Sequence, residues 1–120
     1  MNEKKLSEIS NIIFDMLINH EFIMIKYFQL SLGRYLLLLK IMTCYFSKTK
    51  LTQEQLIVAI PTNISSRSNT LNILKSCKEN NYITKEKSID DTRSILIVPS
   101  AVLVKEYEQY IELTHNTKYN

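Results

Sequence analysis

The sequence predicts an α+β fold that is mainly α, built on two consecutive helices joined by a turn and followed by a two-stranded β-hairpin. Apolar residues recur at helical spacing through most of the chain, as in amphipathic helices. One short β-branched run, "SILIVP" (94–99), breaks that period and is stopped by Pro99, so it reads as the return strand of a hairpin. Cap and stop residues fall between the apolar runs. The 120 residues suit one domain, 1–120, with a core of adequate size; 45% apolar and 22% charged residues are ordinary for a globular chain.

Leu6, Ile9, Ile12, Ile13, Met16 and Leu17 place an amphipathic helix over 3–19. Residues 21–30 continue as helix or bend. Ser31 caps a helix over 31–47 whose run "YLLLLKIMTCYF" is apolar almost all round, which assigns it to the centre of the core. In "KLTQEQLIVAI", Thr52 and Gln55 stand at capping-box spacing, and Leu56, Ile57 and Ile60 form the apolar face. Pro61 ends that helix near Ile60, and "PTNIS" is a polar turn anchored by Ile64.

Ser65 or Ser66 caps the next helix, "SSRSNTLNILKSCKENNYI". Thr70, Ile73, Leu74 and Cys77 make its inward stripe, with Leu71 beside it. The outer face carries Arg67, Ser68, Asn69, Asn72, Lys75 and Ser76. Asn81 stands where a left-handed residue stops a helix, a place where Asn is the best substitute for Gly. "YITKEK" (82–87), "SIDDT" (88–92) and "RSILIV" (93–98) then read as strand, tip and strand. A last helix runs over 100–115, with Leu103, Tyr107, Tyr110 and Ile111 on one side.

Composition excludes several functions. Gly33 is the only glycine, so glycine-rich phosphate loops and dinucleotide motifs are ruled out. The most apolar stretch, Phe22–Phe46, is cut by Lys26, Arg34 and Lys40 and falls short of the ~18 apolar residues of a membrane span. No secretory signal opens the sequence, and Cys44 and Cys77 lie singly among apolar neighbours, as buried thiols in a reducing cytoplasm do. His20 and His115 have no second ligand at metal spacing, and no paired-carboxylate, Ser–His–Asp or Cys–His arrangement emerges. The reading is therefore not an enzyme, with no metal, no cofactor and no membrane.

Charge is uneven. Residues 22–78 hold eight basic residues against one acid, Glu54, a net +7; the two flanks hold seven against eleven, a net −4. That is the pattern of a polyanion-binding centre on neutral-to-acidic supports. A helix, a turn, a second helix with a polar outer face and a hairpin together make a winged helix-turn-helix, with helix-turn-helix at 51–80 and wing at 82–98. Asn suits adenine edges, Arg suits guanine, Ser and Thr suit phosphates or either base, and Lys neutralises backbone.

"SRSNTLNILKSCKENNYITKEKSIDDTRSILIVPS" resembles the MarR family of bacterial transcription regulators. In that family the recognition helix opens S-R-S-T, carries Leu and Val at its buried positions and ends near a Gly, and the wing carries D-x-R before an apolar strand. Ser66, Arg67 and Ser68 match the opening; Ile73, Leu74 and Cys77 take the buried positions; Asn81 stands at the glycine; Asp91 and Arg93 match the wing, and Ser100 the hydroxyl before the last helix. The likeness covers about 50–100 well and the flanks by pattern, and the length is similar to that of the small staphylococcal accessory regulators of the same superfamily. Only about one helix fits after Pro99 where the family has two, and the turn 61–64 is about one residue longer.

The resemblance implies a homodimeric, sequence-specific, double-stranded-DNA-binding transcription regulator, with 3–30 and 100–115 as dimerisation helices. DNA contacts would come from Ser66, Arg67, Ser68, Asn69, Asn72, Lys75, Lys85, Lys87, Asp91 and Arg93. Arg93 would enter the minor groove, with Asp91 holding its guanidinium by a bidentate pair. Whether a small-molecule effector or redox signal at Cys44 is sensed stays open. The alternatives are a winged-helix protein-interaction module and a plasmid or phage replication or copy-control factor.

Overall fold

The computed structural model describes residues 1–18, 21–91 and 93–116, without the side chains of 115 and 116, so the expectations for His20 and His115 lie outside the described residues. The order is α1 (Glu3–Ile18), α2 (Ile23–Gln29), α3 (Leu32–Phe46), α4 (Gln53–Ala59), α5 (Arg67–Glu79), β1 (Ile83–Lys87), β2 (Ile95–Pro99) and α6 (Ala101–Asn116). The fold is α+β and mainly α. Residues 21–30 resolve into a bend followed by a separate short helix.

The predicted caps form. Ser31 Oγ accepts from the Arg34 amide and Ser66 Oγ from the Asn69 amide. Thr52 and Gln55 close a full capping box. At the end of α5, Asn81 has φ 62°; its amide donates to Lys78 and the Tyr82 amide to Cys77. That is a Schellman stop with Asn in the left-handed position.

The centre of α3 is buried at Leu37, Leu38, Ile41 and Met42, each at most 1% exposed, and the core extends around it through Ile25, Phe28, Leu56, Leu74, Ile83 and Leu103. Buried apolar residues from all these elements belong to one cluster. β1 and β2 pair antiparallel from Ile83↔Pro99 to Lys87↔Ile95. Pro99 ends the ladder where its missing N–H matters least, and the next amide, Ser100, donates to Tyr82. The segment before α4 also joins the sheet edge, with the Ile97 amide donating to Leu51 and Thr52 bridging to Leu96.

Three features were not foreseen. Lys48, at the end of α3, takes φ 58°, and the bonds Lys48 N–H to Tyr45 and Thr49 N–H to Cys44 make a second Schellman stop. The first turn of α2 is capped from α6, where Glu106 Oε2 accepts from the Ile25 amide at 2.8 Å. The α1 stripe divides in two. Met16 is buried and Ile9 and Ile12 are half-buried, whereas Leu6, Ile13, Phe14, Leu17 and Ile18 are 42–60% exposed. The Cα radius of gyration, 15.9 Å, accordingly exceeds the ~14 Å of a compact chain of this length.

A lysine in the left-handed region costs about 1–2 kcal/mol in backbone strain, partly offset by glycine's larger unfolded-state entropy. Lys48→Gly should therefore stabilise the protein by about 0.5–1 kcal/mol, while Asn81→Gly gains only a few tenths because Asn tolerates that conformation. Urea unfolding at unchanged m should show the Lys48→Gly midpoint shifted upward and more than that of Asn81→Gly.

Candidate nucleic-acid interface

On α5 the two faces separate as the spacing requires. Thr70, Ile73, Leu74 and Cys77 are at most 5% exposed, and Arg67, Ser68, Asn69, Asn72 and Lys75 are exposed on the other side. Burial pushes the Cys77 thiol up to about 11, so it stays protonated as a packing group. Ser68, Asn72 and Lys75 make no side-chain hydrogen bond or ion pair among the described residues and present open donors and acceptors to solvent.

The other α5 residues are already engaged. Ser66 is the N-cap, and Asn69 Nδ2 donates to Ser65 Oγ at 3.0 Å. Ser65 itself is buried and shares a 2.9 Å hydrogen bond with Thr70. Arg67 is exposed as expected, yet its guanidinium is not unpaired: Nη1 donates to Glu54 Oε2 at 2.9 Å and Nη2 to Glu54 Oε1. Those hydrogen bonds hold the Glu54 carboxyl below the usual range and raise Arg67 further. Sequence reasoning noticed Glu54 only as the one acid of a basic stretch, and nothing in its spacing pairs it with a residue thirteen positions on.

Arg34, from the first turn of α3, was also missed. Its guanidinium lies 4.6 Å from the centre of the Tyr27 ring, and it lines a cleft of about 340 Å³ with Leu30, Ser31, Asn69 and Ile73 on the flank of α5.

The hairpin corrects one expectation. Asp91 and Arg93 do meet, but through Nε and Oδ1 alone at 3.4 Å rather than as a bidentate fork, and the Arg93 side chain is 93% exposed. The stronger bonds of Asp91 are to its own turn. Oδ1 accepts from the Arg93 amide at 3.0 Å and Oδ2 from the Ser94 hydroxyl at 3.3 Å. This is an Asx turn that shapes the tip and turns Arg93 outward. Asp90 pairs with Lys50 across the base of α4 at 3.4 Å. Lys87 is exposed; Lys85 shares the Ile83 face, is half-buried, and is lowered by desolvation and then by Lys78.

The central charge is spread over several sides. Lys26 lies on α2, Lys40 borders a groove with Leu36, Ile60 and Ile64, and Lys48 and Lys50 line a cleft against β2, leaving Arg34, Arg67, Lys75 and Lys78 on or beside α5. Among the described residues no three His, Cys, Asp or Glu gather as a metal would need, and no helix is long and apolar enough to cross a membrane. No protein-family model, curated protein or solved structure matches the chain significantly.

The Arg93 amide, then Arg93 Nε and Ser94 Oγ, keep the Asp91 carboxyl below its ordinary value, against an opposing effect of burial. A lowered folded-state value means that the tip's order is complete above the unfolded carboxyl range and is lost as pH falls through the folded value. In an NMR titration the Arg93 amide shift should move at lower pH than the range in which a free aspartate titrates. Asp91→Ala should move it at neutral pH while leaving the global unfolding midpoint nearly unchanged; a midpoint that fell sharply would assign Asp91 to the core of stability instead.

Proposed function

We propose that the chain is a winged helix-turn-helix, similar to the MarR family, and acts as a homodimeric, sequence-specific, double-stranded-DNA-binding transcription regulator. The observation that carries the reading is the outer face of α5. Ser68, Asn72 and Lys75 stand in the open, backed by a fully buried stripe and followed at once by a hairpin with an outward arginine. In this reading α5 enters the major groove, the hairpin is the wing, and Arg93 reaches the adjacent minor groove. Ser66 and Asn69 place the helix, Asn72 and Ser68 meet base edges, and Lys75, Lys87 and Lys85 meet phosphates. A wing that bound protein would show exposed aromatics, whereas Tyr82 at its root is half-buried with its ring centre 5.2 Å from that of Tyr27.

The dimer reading rests on α1. Part of the α6 stripe foreseen as dimer surface is covered by the chain's own helices: Leu103 is buried, and Tyr110 bonds Tyr35 at 2.9 Å and accepts from Gln29 at 3.3 Å, while Tyr107 and Ile111 are half-buried. The open apolar surface lies instead on Leu6, Ile13, Phe14 and Leu17, and continues across a cleft that Leu17 shares with Leu32 and Tyr35. Such a patch on one side of a small protein is a protein-contact surface. To read two half-sites, a second copy on a two-fold axis must hold the two α5 helices about one DNA turn (~34 Å) apart.

Duplex binding should weaken steeply with salt, and Lys75→Ala or Lys87→Ala should each lower the log–log salt slope by about 0.9 for the lost phosphate contact. Asn72→Ala should cost about 1–3 kcal/mol on a site selected from a random pool and relax preference at one position per half-site. No duplex binding at micromolar protein in low salt would overturn the reading. Separately, Phe14→Glu with Leu17→Glu should shift sedimentation from dimer to monomer and weaken DNA binding, with folding retained because both side chains are exposed.

A further inference from the structure

Glu54 is the second residue of α4 and Arg67 the first of α5, so their pair joins the N-terminal ends of the two helices. Both side chains lie in solvent, 61% and 56% exposed, so the pair adds little to stability. What it does is occupy the Nη edge of Arg67, the edge a guanidinium needs for bidentate contact with guanine or phosphate. The single acid of residues 22–78 thus neutralises the one arginine on α5.

We propose that Glu54 is a specificity-determining residue that masks Arg67 from DNA phosphates and yields it to a G·C base-pair edge. This rests on the DNA-binding reading above. A phosphate offers Arg67 a new acceptor but leaves the Glu54 carboxylate without a donor and facing like charge, so the exchange gains almost nothing. A G·C pair offers both partners: guanine O6 and N7 accept from the guanidinium, and cytosine N4 donates to a carboxylate. Non-specific binding is therefore suppressed while a matching site loses nothing. Because Arg67 keeps the Glu54 carboxyl below its usual range, the mask stays closed throughout neutral pH.

The test measures binding to a random-sequence duplex pool at two salt concentrations for wild type, Glu54→Gln, Glu54→Asp, Arg67→Gln and the Glu54→Gln/Arg67→Gln double variant, with thermal melts confirming folding. Glu54→Gln should bind the pool about 3–10-fold more tightly, with a salt slope steeper by about 0.9 for one added phosphate contact. Glu54→Asp keeps the charge but is one methylene too short for the fork, and should also gain. In the Arg67→Gln background, Glu54→Gln should change little. Equal gains in both backgrounds would make Glu54 a plain repelling charge and overturn the mask. So would a Glu54→Gln that binds like a wild type that does bind DNA, which leaves the DNA-binding reading standing. If wild type and every variant fail to bind in low salt, both readings fall together.

Discussion

Everything on the α5 side of the molecule depends on how closely α3 can approach the turn between α4 and α5. A methyl group on Gly33 would lie 3.2 Å from Ser65 Cβ, tighter than side chains ordinarily pack, and at an ordinary 3.6 Å from Ser65 Oγ. Glycine inside a helix costs about 1 kcal/mol against alanine. Here that cost is offset by letting the first turn of α3 rest on the turn that launches α5. Ser65 is held on its other side by Thr70 and Asn69, so it cannot retreat without loosening the start of α5. The chain's single glycine therefore serves close packing of α3 against the turn that precedes α5.

Given that anchor, the polar residues of α5 and the hairpin fall into two groups. Ser66, Asn69 and Asp91 spend their hydrogen bonds on caps and turns within the chain. Ser68, Asn72 and Lys75 bond to nothing else among the described residues, and Arg93 makes one long contact and is otherwise in water. The first group fixes backbone, and the second is displayed by it. A sequence motif such as Asp91-x-Arg93 carries both functions at once. Its aspartate acts mainly through the Arg93 amide rather than the guanidinium.

The same division explains how much could be read from sequence. Helix bounds, the capping box at Thr52 and Gln55, the Asn81 stop, the inward stripe of α5 and the hairpin were legible because each is a local signal within a few residues. What was not legible spans the chain. Glu106 caps α2 from 81 residues away. Glu54 reaches Arg67 across a turn, and Arg34 stacks on a tyrosine of the preceding helix. The left-handed Lys48 is a local feature that sequence hides, because a lysine carries no preference for that conformation and is held there only by the two hydrogen bonds of the stop. On α1 the periodicity was correct but was assigned a single face, whereas the apolar arc is wider than the core can cover.

That uncovered arc bears on what one copy of α5 can do. With Arg67 neutralised by Glu54 and Lys40, Lys48 and Lys50 on other sides, the cations that accompany α5 are Arg34, Lys75 and Lys78, with Lys85, Lys87 and Arg93 on the hairpin. A handful of phosphate contacts supports only weak, salt-sensitive attachment to DNA. Under the proposed reading, joining two such surfaces through Phe14, Leu17 and their neighbours would make the second attachment intramolecular and raise avidity without any new charge. On the same reading, discrimination would lie with the hydrogen-bonding groups of the α5 face, Ser68 and Asn72, and strength with the pairing of two copies through the apolar arc of α1.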